Sequence, residues 1–456
     1  MKLSKEIPQA PRGLPVLGHV VPMVRDPLNF LASMTHEEMA GQELVRLRIG
    51  PFDTVLVTDP ALTRKVLHED DVYDKGGPVY TRIREVLGNG LATCPYGEHR
   101  RQRRLIQPMF QQDRFPTYAR SMVAQIEDVT GRWHDGQVLD VPAEMLRLAA
   151  RVSMATLFSS SLPEDTMREL VSDLGIVVVE GYRRMVSPAL INRFPTAANR
   201  RDSQARTRLN ATLGEIIAER RSNGEDHSDL LSALLLAGDP TATNGLGFDD
   251  AEVRDQVVTF FAAGSETTAT TMSWVLYMLG RHPEIEQRVR AEIDSVLTGS
   301  IAEFEHLPAL KYTTRVVTET LRMYPPAWLI SRTVTSDTEL GGHTIPAGAT
   351  LLFSPYLIHH RGDVFPDPEH FDPDRWENQR REFYFPFGGG ARKCIGDQFS
   401  LTEVVLAVAT IVARWRLTIA PDARVRAVAT AAVRPEGLHM HASPQKGRTA
   451  VLVDGF

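Results

Sequence analysis

Cysteine is nearly absent: the 456 residues contain two, Cys94 and Cys394. Two thiols so far apart form no disulfide framework and supply too few ligands for structural zinc, and their scarcity suits a reducing cytoplasm. Long apolar runs are missing too. The longest, Leu401 to Ile419, is broken by Glu403, Arg414 and Arg416, which predicts a buried amphipathic helix rather than a membrane span. Met1 to Pro11 is short and polar, so neither a signal peptide nor a membrane anchor is expected. Positive charge is not in excess: 51 Lys and Arg against 57 Asp and Glu leave a net −6, which argues against nucleic acid as a partner. Repeats and low-complexity linkers are also lacking. Nothing divides the chain, and one domain over residues 1–456 is expected. Apolar content of 43% and charged content of 24% are those of an ordinary globular protein.

What the chain does have is a concentrated loop, Phe387-Gly388-Gly389-Gly390-Ala391-Arg392-Lys393-Cys394-Ile395-Gly396. Its run of glycines admits a backbone path, including φ > 0, that side chains would block. A helically patterned apolar segment runs from Phe399 to Ile419, so Cys394 sits where a tight loop enters a helix. The N–H groups and partial positive charge of a helix start stabilise an anion, and Arg392 adds charge nearby. The thiol is therefore expected to ionise below its ordinary pKa and to be a metal-competent thiolate. A phosphate loop of the Gly-x-x-x-x-Gly-Lys-[Ser/Thr] kind fails because Cys394 follows Lys393, and Gly-x-Gly-x-x-Gly fails because Lys stands at 393. On the residues alone, a catalytic nucleophile and an incidental cysteine after a glycine turn both remain open.

The longest helical signal, Asp249 to His282, opens on Asp249, Asp250 and Glu252, as the helix dipole favours. Its middle, Ala263-Gly264-Ser265-Glu266-Thr267-Thr268-Ala269-Thr270-Thr271, conflicts with that pattern. Gly costs about 1 kcal/mol inside a helix, and threonine hydroxyls bond back to carbonyls and bend it. Such conflicts collect at functional sites. In Gly97 to Leu105, His99 and Arg103 are four apart and share a helix face that suits a carboxylate ligand. Arg100, Arg101 and Arg104 are left on other faces, as solvated basic surface or as a docking patch for an acidic partner. Glu319 and Arg322 also share a helix face, which alone is worth about 0.2–0.5 kcal/mol. Pro325 and Pro326 then end the helix, and Ala327, Trp328, Leu329 and Ile330 continue as an extended segment. His359-His360-Arg361 is cluster-like but lacks acidic or Cys ligands at a suitable spacing.

Elsewhere the pattern is coarser. Glu43 to Thr58 alternates as a hairpin around Gly50 to Asp53, and strands are expected at Leu340–Ile345 and Ala349–Phe353. Pro60 to Leu67 reads as helix, and Tyr73 to Gly90 as a loop carrying a short helix. Tyr118 to Arg221 is helical nearly throughout, interrupted at Pro163, Pro188 and Pro195. Ser228 to Leu236 is a further helix and Asp239 to Gly247 a polar loop. Arg424 to Val433 is short and mixed.

Phe387, Gly390, Arg392, Cys394 and Gly396, spaced as Phe-x-x-Gly-x-Arg-x-Cys-x-Gly, resemble the heme-binding loop of the cytochrome P450 family. Ala263, Gly264, Glu266, Thr267 and Thr268 resemble its oxygen-binding segment, Glu319 and Arg322 its Glu-x-x-Arg, and Pro11 to Gly18 its proline-rich entry. The resemblance implies a mainly α fold with a small β lobe (α+β). That lobe would lie at about residues 40–70 and 330–360 plus C-terminal strands, with a long central helix over heme b. Cys394 would be the thiolate ligand of the iron. Cofactor contacts would come from His99, Arg103, Ala263, Gly264, Arg332, Phe387, Gly388, Arg392 and Gly396, with His99, Arg103, Arg332 and Arg392 holding the propionates. Glu266 and Thr267 would be catalytic and supply protons for oxygen cleavage. Glu319, Arg322 and Arg375 would form a structural lock.

The activity so implied is that of a monooxygenase, R–H + O2 + two electrons + two protons giving R–OH + water. Electrons would come from a separate ferredoxin and ferredoxin reductase, because no flavin or iron–sulfur segment is fused. A monomer in the cytoplasm acting on a hydrophobic small molecule is expected. Pocket lining is assigned to Val79, Tyr80, Ile83, Leu87, Val177, Phe261, Trp328, Leu329 and Ala431. The strings Arg100–Pro108 and Gly181–Val186 resemble those of actinobacterial terpene oxygenases of the pentalenene oxygenase type. Fatty-acid, steroid or macrolide hydroxylation and a peroxide-driven peroxygenase are the alternatives. A heme sensor is a third, against which the Glu266–Thr267 pair argues.

Overall fold

The central helix is the one whose sides are nearly all apolar or small. In Asp250–Arg281, every residue from Thr268 to Leu276 is buried, the pattern of a helix enclosed by protein. Asp249 caps it, accepting from the Glu252 N–H while the Glu252 carboxylate accepts from the Asp249 N–H. Helices Phe115–Gly131, Val141–Phe158, Ala197–Asn223, Lys311–Met323 and Asp397–Arg414 turn apolar faces into the same core. The structure is a computed structural model that describes residues 6–35, 39, 41–159, 162–186, 194–224, 227–237, 247–378 and 381–445. Among these, no helix is long and apolar enough to cross a membrane.

A smaller core fills the β lobe. Its five-stranded sheet runs in the order Leu44–Ile49, Phe52–Val57, Thr350–Phe353, Ile330–Val334, Tyr73–Asp74. The first pair is the expected hairpin, with Ile49 opposite Phe52. Its turn is therefore only Gly50-Pro51, and Gly50 takes a φ of 59°, which a glycine adopts without strain. Parallel pairing of Val55 with Leu351 joins chain segments from opposite ends of the sequence.

Several boundaries differ from the sequence reading. The apolar run after the cysteine is helix only over Asp397–Arg414; Trp415–Ile419 is a strand paired with His439–Pro444. Apolar continuity hid the change because a buried helix and a buried strand look alike without periodicity. A strand, Val138–Asp140, interrupts the region read as helical throughout. Tyr73 to Gly90 holds strand Tyr73–Asp74 and an 11-residue helix, Gly77–Leu87, rather than mostly loop. Arg424 to Val433 contributes a hairpin of Arg426–Ala429 with Val433–Glu436. Residues 239–246 of the expected polar loop lie outside the described residues, as does Pro188.

Candidate active site

The cysteine loop is threaded through a gap that only glycine fits. Gly388 and Gly390 have φ of 68° and 62°, and a Cβ on Gly390 would stand 2.2 Å from the Leu67 carbonyl oxygen. After a short 3-10 turn at Gly390–Arg392, the Cys394 N–H donates to the Phe387 carbonyl at 2.9 Å. Gly396 caps helix Asp397–Arg414, and its N–H donates to the Cys394 sulfur. Cys394 is exposed to a cleft, yet burial among protein is the largest influence on its thiol and raises its pKa. This corrects the expectation of a lowered pKa. The Gly396 N–H, Lys75 and Arg103 all favour the thiolate, but desolvation outweighs them.

The long helix crosses the cysteine's own helix, and the contact is polar: Thr268 Oγ1 and Ser400 Oγ lie 3.1 Å apart. One turn away, Ala263 is exposed in mid-helix and Glu266 and Thr267 are half-buried, so this stretch opens onto a cleft. The threonines bond back as expected. Thr267 Oγ1 donates to the Ala263 carbonyl at 2.6 Å and Thr271 Oγ1 to the Thr267 carbonyl at 2.9 Å. Gly264 serves packing: a Cβ there would stand 2.9 Å from Ser153 Oγ on helix Val141–Phe158. Burial raises the pKa of Glu266, and the charge of Arg434 moderates the rise.

Basic groups converge on the same cleft. His99 and Arg332 are buried, at 2% and 3% exposure, and His99 Nδ1 and Arg332 Nε have no hydrogen-bond partner. Burial pushes the His99 pKa down to about 3, helped by Arg392, Lys75, Arg103 and Arg332. Burial, Arg332 and Arg392 push the Lys75 pKa down to about 7. Arg103 donates to the Lys393 carbonyl at 2.6 Å and so ties its helix to the cysteine loop. Arg392 is held by Asp74 at 2.7 Å and the Cys94 carbonyl at 2.8 Å. Basic groups gathered out of water, with the neutral His99 and the Arg332 guanidinium each keeping an unpartnered nitrogen, suit an anion with more than one carboxylate.

The Cytochrome P450 family profile matches residues 8–442. The chain belongs to the cytochrome P450 family. It is 46% identical over 418 residues to cyclooctat-9-en-7-ol 5-monooxygenase of Streptomyces melanosporofaciens, covering 90% of each chain. It is 43% identical over 429 residues to pentalenene oxygenase of Streptomyces avermitilis, covering 93% of this chain and 94% of that one. Among solved structures, the cytochrome P450DA heme domain superposes with a TM-score of 0.86 at 27% identity, covering 96% of this chain and 98% of that chain. This P450 is thus a heme-thiolate monooxygenase with heme b as its cofactor, and the donor set fits that group: one thiol, and buried basic side chains suited to two carboxylates.

Behind the cleft the P450 is braced around Glu319, which is 0% exposed. Its Oε1 accepts from Arg322 Nη2 at 2.9 Å, Arg375 Nε at 3.0 Å and the Asp372 N–H at 3.1 Å. Its Oε2 accepts from Arg322 Nε at 3.0 Å and Trp376 Nε1 at 2.9 Å. Arg322 reaches on to the His359 carbonyl. His359 Nε2 accepts the Phe385 N–H at 2.8 Å, two residues before the cysteine loop begins. The structure therefore brings Glu319, Arg322 and Arg375 together, and adds Trp376, which sequence reasoning missed, and His359, which it noted only within the His359-His360-Arg361 cluster. Trp376 has no local spacing that announces it. No group of three His, Cys, Asp or Glu among the described residues is placed to hold a metal.

The pocket assignments scatter. Trp328 is half-buried and donates through Nε1 to the Thr430 carbonyl at 2.9 Å, docking the turn that carries exposed Ala431. Ile83 and Leu87 are half-buried on helix Gly77–Leu87, where Val79 also lies; the Val79 side chain is outside the described residues. Val177 and Phe261 are buried in the large core, and Leu329 packs against a smaller cluster. Tyr80 is buried with its hydroxyl at the Arg332 guanidinium. Phe387 is half-buried against the large core beside the cysteine loop. Lys75 is the group that sequence reasoning passed over: a lone lysine before two glycines carries no motif.

Proposed function

We propose that this P450 hydroxylates a cyclic terpene, as a single-domain cytoplasmic monomer supplied with electrons by a ferredoxin and its reductase. What carries the terpene reading is the likeness to two enzymes. One is named for cyclooctat-9-en-7-ol and the other for pentalenene, and both match across nine-tenths of the chain. The apolar and aromatic side chains assigned to the pocket from the sequence, among them Ile83, Leu87 and Trp328, would suit a hydrocarbon skeleton.

Heme, when bound, supplies the iron at which dioxygen is reduced and cleaved, and a thiolate ligand favours that cleavage. Cys394 provides the sulfur, and the Gly396 N–H bonded to it tempers its charge. His99, Arg103 and Arg332 seat the carboxylates. Thr267 spends its hydroxyl proton on the Ala263 carbonyl, which leaves the lone pairs of Oγ1 to accept from a proton donor in the cleft. Glu266, raised in pKa by burial, would serve as the acid that brings protons to this stretch, with Thr267 Oγ1 accepting a hydrogen bond there.

The test is a screen for substrate-induced Soret shifts across terpenes, fatty acids, steroids and macrolides, followed by turnover with O2, ferredoxin and reductase. Terpene shifts with a hydroxylated product support the reading. Shifts confined to another class, or product only with peroxide, overturn it. Thr267→Ala should retain heme while diverting electrons to peroxide, and unchanged coupling would remove its proton role.

A further inference from the structure

The turn that ends helix Gly77–Leu87 is read by buried amides from two other helices. Gln256 of the long helix and Gln102 of helix Tyr96–Ile106 are each 0% exposed. Gln256 Oε1 accepts from the Leu91 N–H at 3.0 Å, and its Nε2 donates to Gln102 Oε1 at 2.9 Å. Gln102 Nε2 donates in turn to the Asn89 carbonyl at 2.9 Å. These bonds close a ring from the Leu91 N–H back to the Asn89 carbonyl, and each side-chain amide in it uses both its oxygen and its nitrogen. Turning either amide over would set donor against donor and acceptor against acceptor, so the ring has one orientation.

The same turn is pressed onto the long helix. Asp255 Oδ2 accepts from the Asn89 N–H at 2.7 Å. A Cβ on Gly88 would stand 2.1 Å from Asp255 Oδ1, and one on Gly90 would stand 2.1 Å from Thr259 Oγ1. Helix Gly77–Leu87 follows the turn, because Arg84 donates to the Lys75 carbonyl at 2.7 Å and to the Thr93 carbonyl at 2.9 Å, clamping both of its flanks. Tyr80, whose hydroxyl meets the Arg332 guanidinium, shares a helix face with Ile83 and Leu87, three and seven residues on. Thr259 lies one turn before Ala263 on the long helix, so the clamp and the Ala263–Thr268 stretch ride on one rod.

We propose that Gln102 and Gln256 are positioning residues that set one wall of the substrate site. By holding the turn at 88–91 to the long helix, they fix helix Gly77–Leu87 relative to Ala263–Thr268 and so decide which carbon of the substrate is presented for hydroxylation. This rests on the reading of the chain as a terpene hydroxylase with that helix beside its cleft. Neither glutamine touches the substrate; each acts through the backbone of Asn89 and Leu91. The leverage is large, because a misplacement of about 1 Å at a reacting centre costs on the order of a hundredfold in rate.

The test uses the heme-loaded enzyme with ferredoxin, reductase and the cyclic terpene that gives the largest Soret shift in the screen above. In Gln256→Leu and Gln102→Leu the ratio of hydroxylated regioisomers, trace products included, should change about tenfold, the scale of one buried hydrogen bond. The fall in kcat should exceed the rise in KM, while heme content and the spectrum of the reduced carbon monoxide complex stay as in wild type. Gln256→Glu sets a second acceptor against Gln102 Oε1 and should match Q256L. The Q102L/Q256L double variant should be no worse than either single one, because the ring is broken only once. Hydrogen exchange should quicken across residues 77–91. A merely structural pair of amides predicts lower stability with an unchanged isomer ratio, and that result overturns the proposal, as does a wild-type ratio in Q256E. Should both leucine variants hold no heme, Asp255→Ala, which frees only the Asn89 N–H, takes their place: a changed ratio supports the proposal and an unchanged one overturns it. Wild-type enzyme that hydroxylates only another class of substrate would overturn the terpene reading alone, and the isomer ratio is then measured on that class.

Discussion

Two glutamates, Glu319 and Glu403, are each 0% exposed, and they live under opposite conditions. Glu319 is met by two arginines, an indole and a backbone N–H. Glu403 sits on the cysteine's own helix with neither oxygen hydrogen-bonded, and burial drives its pKa well above the usual carboxyl range. Burial is the same in both places, so the donors around each carboxylate decide its state. Glu319 is the anion that organises cations from two segments. Glu403 is a neutral acid enclosed by the large core.

The sharpest way to break this comparison is Glu319→Ala. It leaves Arg322 buried and uncompensated, so a loss of about 3–5 kcal/mol is expected, read as a lower denaturation midpoint and poor heme content. Normal heme content would refute the brace. Trp376→Phe removes one donor and should cost about 1–3 kcal/mol, with the absorption spectrum of the reduced carbon monoxide complex intact. Glu403→Met should act in the other direction and stabilise by about 1 kcal/mol, since it replaces an unsatisfied acid with apolar volume. A raised folded pKa means that the stability of the neutral acid is present below the ordinary carboxyl range and is lost as pH rises. The gain from methionine should therefore be larger in alkali than in acid, and urea melts at several pH values would show it.

The smallest effect comes from the histidines beside the brace. His359 is neutral, with Nε2 accepting from Phe385 and Nδ1 3.1 Å from the Arg322 carbonyl; its pKa is far below normal, chiefly through burial. Burial lowers His360 to about 4. Depressed values mean that this stability is complete above the unfolded value of about 6.5 and is lost as pH falls below it. His360→Gln should flatten the acid side of a melting-temperature profile, and an unchanged profile would remove His360 from that account.

The legible parts of the molecule were those in which chemistry is packed into consecutive residues. The cysteine loop, the Ala263–Thr268 segment and the Glu319–Arg322 turn each state their spacing locally. The acidic start of the long helix and the Glu43–Thr58 hairpin did so as well, through helix and turn rules, although the turn proved to be Gly50-Pro51 alone. Contacts made across hundreds of residues left no such trace: Trp376 on Glu319, His359 on Phe385, Lys75 opposite Arg332. The break from helix to strand at Trp415 was hidden for a different reason, since burial on both sides erased the periodicity that separates the two. The thiol of Cys394 was misjudged because the helix start was visible in sequence and the depth of burial was not.

The contact between Gly264 and Ser153 bears on how such an enzyme changes over generations. A side chain at 264 would stand 2.9 Å from the serine oxygen, so what is tolerated at one position depends on the residue at the other. A larger residue at 264 is admitted only where the hydroxyl at 153 turns aside or is lost, so the two positions are coupled.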